Sequence, residues 1–174
     1  MSDMLLRGIR MRLLPTKEQE ALMIKTAHVV RSVWNKMLEI NIALEQQHEK
    51  TLSAFEMQYY YAGCRKYGDA DVEYMRAVSQ VAVRQVFFDM EEAYKRYYSL
   101  CDKKHPYTSK VWQRCKKHNR EPKITERAYH PQFKRKKDSK LSFADRSDAC
   151  YFNIKKNQPN KVYVILSKVG WVEV

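Results

Sequence analysis

The sequence predicts an α+β protein in which a large block of helices is inserted into a small β structure. Three observations carry this. A period-two stretch opens the chain, long segments of helical periodicity follow, and alternating apolar stretches return at the end. Only 4 Gly and 5 Pro in 174 residues favours long helices over a loop-rich sandwich. An apolar share of 44% is enough to bury a core and excludes a disordered chain.

The elements follow in order. In "MLLRGIRMRLL" (residues 4–14), Ile9, Met11 and Leu13 alternate with Arg10 and Arg12, which predicts a strand with one buried and one basic face. Pro15 ends it. Thr16 with Gln19 fits a capping box. The stripe Leu22, Thr26, Val29, Val33, Met37, Ile40, Leu44 then predicts one helix face over 17–48. Ser53 with Glu56 is a second capping box, with Leu52 and Met57 as its hydrophobic staple, and that helix ends near Gly68. A short helical piece lies around 71–77. A longer helix from Ser79 to Cys101 carries the stripe Val83, Phe87, Met90, Tyr94, Tyr97, Cys101.

Residues 102–140 change character. They are basic, carry Pro106 and Pro122, and predict an irregular connection with one short helix near 108–118. Strands return over 141–174 as "LSFADR", "CYFNIKK", "KVYVILS" and "WVEV", with "NQPN" as a turn. The expected organisation is a first strand (1–14), a helical lobe (15–101), a basic connection (102–140) and the remaining strands (141–174).

Charge is the strongest functional sign. Residues 1–102 hold 14 Lys+Arg against 14 Asp+Glu, whereas 103–174 hold 19 against 6, so the whole net charge of +13 sits in the last part. A localised basic surface of that size points to a polyanion, nucleic acid before membrane, because the basic region has no amphipathic helical face. The run Lys134, Arg135, Lys136, Lys137 can neutralise phosphates, and Phe133 or Tyr129 can stack on a base. Arg7, Arg10 and Arg12 can line the same channel, or simply protect an edge strand from aggregation. The clusters Tyr59–Tyr61 and Tyr94, Tyr97, Tyr98 read as core tyrosines with hydroxyls at the surface.

Other chemistry has little support. The N-terminus interrupts its apolar residues with arginines and is no signal peptide, and no run of about 18 apolar residues predicts a membrane span. The four cysteines are scattered, as expected for reduced thiols in a cytoplasmic protein. Cys101, His105, Cys115 and His118 are zinc-ligand types, but their spacing favours free thiols and surface histidines. No catalytic carboxylate pair, glycine-rich phosphate loop or activated nucleophile stands out, and no cofactor is expected.

Four stretches line up with one family: "RGIRMRLLPTKEQEALMIKTAHVVRSVWNKMLE", "SQVAVRQVFFDMEEAYKRYY", "HPQFKRKKDSKLSF" and "LSKVGWVEV". In this order the chain resembles the N-terminal half of TnpB (OrfB), the RNA-guided nuclease of insertion-sequence transposons, related to the type V CRISPR effectors. The first stretch covers that family's helix-turn-helix region. The resemblance implies a small antiparallel β-barrel of oligonucleotide-binding type with a large inserted helical recognition lobe. It implies binding of a guide RNA scaffold and of duplex DNA beside the target, with base pairing reading the sequence. In the family a RuvC-like nuclease domain follows the "GWV" strand, so this chain is expected not to be an enzyme. A separate RuvC-like chain is a candidate partner.

Carried over residue by residue, the resemblance nominates Ser79, Gln80 and Arg84 for the flanking DNA motif, since Gln and Arg can bond base edges in bidentate fashion. It nominates Ser142 and Phe143 at the start of a strand. Asp145 stands where the family more usually has an amide, and a carboxylate repels phosphate. Lys134–Lys137 match a basic stretch that follows the backbone. Two readings without RNA stay open. One is a helix-turn-helix DNA-binding regulator. The other is a module that docks on a larger nucleic-acid enzyme through Trp171 and Val172.

Overall fold

Thr16 opens the first helix through two reciprocal bonds. Its Oγ1 accepts from the Gln19 amide at 3.3 Å, and its own amide donates to Gln19 Oε1 at 3.0 Å. These bonds satisfy donors that the helix start would otherwise leave free. We analysed a computed structural model, which describes residues 10–67, 76–136, 142–145, 152–154 and 161–174. The expected helical piece at 71–77 and the turn at 157–160 lie wholly or largely outside these residues, as do Arg7, Ile9 and Lys137.

Helix α1 spans Lys17–Gln46, within two residues of the span its apolar stripe predicts. Helix α2 spans Ala54–Tyr67 behind the second capping box, where the Ser53 amide donates to Glu56 Oε2 at 2.7 Å and the Glu56 amide to Ser53 Oγ at 3.3 Å. Helix α3 spans Gln80–Leu100, and the short α4 spans Ser109–Lys117. A single 3-10 turn follows at Ile124–Glu126.

The helices share one core. Val29, Val33, Met37 and Leu38 of α1 meet Val83, Phe87, Met90 and Tyr94 of α3, with Met57 and Tyr61 of α2 closing the side. Tyr61, Tyr94 and Tyr97 are core residues, whereas Tyr59 is 84% exposed. Asn41 is fully buried inside this apolar face, where its Oδ1 accepts from the Leu52 amide at 2.8 Å. That bond ties the α1–α2 connection to α1 and removes the penalty of an unpaired buried amide.

The β part is a three-stranded antiparallel sheet in the order β1 (Phe152–Ile154), β2 (Val162–Leu166), β3 (Gly170–Glu173). Phe152 pairs with Val164, and Val164 with Val172. Val164, Leu166, Val169 and Val172 form a second, smaller core against Leu13, Leu22 and Met23. The β2–β3 turn needs left-handed backbone at Lys168 (φ 67°) and Gly170 (φ 83°), and glycine takes the second at no steric cost.

Two sequence expectations change here. Residues 142–145 form no strand: Phe143 packs against the helical core, and Asp145 Oδ2 accepts from the Ser167 amide at 2.7 Å, bracing the β2–β3 turn. Residues 10–13 form no strand either, and Met11 is 44% exposed where the alternation placed it inward. Leu14 alone bridges the sheet, its amide donating to the Glu173 carbonyl at 2.8 Å. Gln19 adds a second tie, its Nε2 donating to the Trp171 carbonyl at 2.7 Å. Among the described residues the sheet is open rather than closed into a barrel, and β3 is fastened at these two points to the start of α1.

Candidate nucleic-acid interface

The basic segment is not a free tether. It runs along α1 from Pro131 to Lys136, held by three long-range bonds. Trp34 Nε1 donates to the Gln132 carbonyl at 2.9 Å. Asn35 then meets both backbone groups of Lys134, donating from Nδ2 to its carbonyl at 3.1 Å and accepting its amide at 2.8 Å. A side-chain amide here does what a neighbouring strand would do, so the segment stays extended without joining a sheet.

This geometry divides the basic run. The Lys134 ammonium lies 4.1 Å from the centre of the Trp34 ring, a cation–π contact. Burial lowers its pKa, and the charge of Asp89 on α3 partly offsets that. Lys134 therefore anchors the segment. Arg135 and Lys136 follow it and are exposed, and Phe133, just before the anchor, is 46% exposed.

A buried pair supports the segment from behind. His130 is 4% exposed, with Nδ1 2.7 Å from the Pro131 carbonyl and Nε2 2.9 Å from Glu45 Oε2. Both partners of the ring are acceptors. The ring thus links the segment to the buried end of α1. Tyr94 donates to the same Glu45 oxygen at 3.2 Å, and burial with the Glu45 charge pushes the Tyr94 hydroxyl far above its ordinary range. The rings of Tyr94 and Tyr97 meet His130 edge-on.

The connection before it is pinned by one carboxylate. Glu126 accepts from Arg120 at 2.7 and 2.8 Å, from Arg114 at 2.6 Å and from the Lys123 amide at 2.9 Å. The Arg120 bond, with the Lys123 amide next, holds its carboxyl well below the usual carboxylate range.

The remaining nominated residues fall in three places. Ser79 is 1% exposed, and its hydroxyl accepts from the Ala82 amide at 3.3 Å, so it caps α3 and presents no surface. Gln80 is half-buried with Nε2 donating to the Val78 carbonyl at 3.2 Å, while Arg84 is exposed one turn later. Ser142 and Phe143 line a cleft of about 480 Å³ with Leu13, Met23 and Ile24, between α1 and the sheet. Arg10 and Arg12 are exposed on the stretch leading to Leu14. Among the described residues no cluster of His, Cys, Asp or Glu is arranged to hold a metal ion. No helix among them is long and apolar enough to cross a membrane.

Residues 1–50 match the family model of the helix-turn-helix domain of the OrfB/IS605 family. The match supports the TnpB/OrfB resemblance at the N-terminus, and a helix-turn-helix domain of a transposase family points to DNA binding. Within the described part of that stretch one unbroken helix, α1, carries the sequence, and the turn follows at 47–53. No curated protein matches the chain.

Proposed function

We propose that this protein is the nucleic-acid-binding portion of a TnpB-like, transposon-associated protein, which holds a guide RNA scaffold and the duplex DNA beside its target. The observation that carries this reading is the clamped segment at Gln132–Lys136. It sets Arg135 and Lys136 directly after the point where Asn35 holds Lys134 against α1, the helix that carries the family match. Exposed cations beside a fixed anchor suit a phosphate backbone, and the basic surplus of 103–174 supplies the long-range attraction. Arg84, exposed near the start of α3, is the candidate for base-edge contact, with Gln80 beside it and Ser79 setting the helix start. The stretches that resemble the family belong to its guide- and target-binding half, so binding rather than cleavage is the proposed activity.

The test is to express the chain with its native flanking DNA, wash the purified protein at high salt and sequence what stays bound. A defined structured RNA from beside the gene supports the reading. A specific duplex without RNA overturns the guide RNA part and leaves a DNA-binding regulator, the reading that the helix-turn-helix match also favours.

A further inference from the structure

Helix α4 contributes none of the nucleic-acid contacts proposed above, yet it combines charge with an open aromatic ring. Residues 103–118 hold six Lys or Arg and no Asp or Glu. One face of α4 turns inward, where Cys115 is 1% exposed, and Arg114 and Arg120 fasten the element to Glu126. One turn before Cys115, at the edge of that face, Trp112 is 52% exposed. Tyr107 holds the indole in a T-shaped contact at 5.8 Å without covering it. Helical spacing sets Lys116 one turn after Trp112 on the same face, whereas Lys110 and Lys117 project from the opposite side of the helix.

Local helix energetics does not account for this set. Lys116 and Lys117 suit the negative C-terminal end of the helix, but Lys110 sits in the first turn, at the positive end, with no acidic residue there to offset it. An exposed indole also contributes little to a nine-residue helix whose buried residue is Cys115. A ligand that is anionic and carries flat apolar rings answers both features.

We propose that α4 is a second nucleic-acid contact, which stacks an unpaired base of a single-stranded polynucleotide on Trp112 and holds the adjoining phosphate with Lys116, while the basic surplus of 103–118 supplies the wider attraction. The site deepens the nucleic-acid reading above and rests on it. Its chemistry is base stacking beside point charges, which is tolerant of sequence and requires an unstacked base.

The test uses the full chain and a short fluorescein-labelled oligouridylate, followed by anisotropy over a range of salt concentrations. Trp112→Ala is expected to weaken binding about 5- to 150-fold with little change in salt dependence, and Trp112→Phe to restore most of it. Lys116→Gln is expected to lower the slope of log K against log salt by about 0.7. Circular dichroism checks that each variant is folded. The matching deoxyribo-oligonucleotide separates the sources: equal Trp112-dependent binding extends the site to DNA strands, and weaker binding assigns it to RNA. If the α4 variants bind as wild type while Arg135→Ala/Lys136→Ala weakens binding, the α4 site is overturned and the nucleic-acid reading stands. If the wild-type chain binds neither strand, the α4 site is overturned, and the nucleic-acid reading falls only if structured RNA and duplex DNA are not bound either.

Discussion

Asn35 grips the backbone of Lys134 at both its amide and its carbonyl, across 99 residues of sequence. The pair converts a run of like charges, which would repel itself and spread in solution, into a fixed extended segment on α1. Asn35→Ala removes both bonds at a solvent-exposed site, so the expected loss of global stability is small, about 1 kcal/mol. The local effect is larger. Trypsin is expected to cut after Arg135 and Lys136 several-fold faster in the variant, while its urea midpoint moves little. Unchanged cleavage would show that Trp34 alone fixes the segment.

Lys134, Arg135 and Lys136 are all exposed, but the Lys134 ammonium rests on the Trp34 ring. Neutralising Arg135 and Lys136 should therefore lower the salt slope for duplex DNA by about 2. Lys134→Gln should act differently. It should reduce stability and affinity together, because it removes a packed anchor as well as a charge. Comparing salt slopes with melting temperatures for the two sets separates phosphate contacts from the anchor.

Local features were legible in the sequence, and pairings between distant residues were not. The span of α1 follows from its stripe and from Thr16 with Gln19, and both capping boxes form as their spacing predicts. Asn41 could not be read as a core residue, because a polar side chain on an apolar face looks like an interruption until its partner, the Leu52 amide, is known. Lys134 and Arg135 are neighbours of one type in sequence. Only the approach of Trp34 distinguishes them. Asp145 stood out as a departure from the family pattern, and the structure gives it a use in bracing the Ser167 turn. His130 gave no signal, since its two partners come from a neighbouring carbonyl and from a helix 85 residues away.

The Glu45–His130 pair is the most sensitive point behind the basic segment. Their side chains are 7% and 0% exposed, so removing one leaves the other buried without a partner. His130→Ala or Glu45→Ala should each cost about 3–5 kcal/mol, read from urea unfolding. Glu45→Gln should cost much less. Its amide can donate to Nε2 of a ring whose Nδ1 donates to Pro131, so the ring keeps both partners and the remaining cost is the acceptor that the Tyr94 hydroxyl loses. The double variant Glu45→Ala/His130→Ala should be less damaged than the sum of the single variants, and strict additivity would disprove the pairing.

Glu126 predicts how the α4 connection responds to acid. Its folded-state pKa is lowered from the ordinary value of 4.5, chiefly by the Arg120 bond. A depressed carboxylate contributes stability that is fully present above its unfolded pKa and is lost as pH falls toward and through the folded value. Protection of the 106–128 amides from hydrogen exchange should thus hold from neutral pH to about 4.5 and decline below it. Glu126→Gln should show the weakened protection already at neutral pH and little further change in acid. A variant with wild-type protection at both pH values would show that Arg114 and Arg120 are screened by water and fasten nothing.

Ser79 separates a cap from a contact. Its hydroxyl is buried and bonded to the Ala82 amide, so Ser79→Ala should destabilise the protein by about 1 kcal/mol through the start of α3. At temperatures where both proteins are folded, duplex affinity should be unchanged. Ser79→Asp restores a capping acceptor, and the negative charge also suits a helix N-terminus, so it should recover the stability. It would simultaneously repel any phosphate close by. If Ser79→Asp recovers stability but loses binding, the start of α3 lies against the nucleic acid and Ser79 positions the contact made by Arg84. Recovery of both would move the DNA-facing surface away from this helix end and leave Arg135 and Lys136 as its centre.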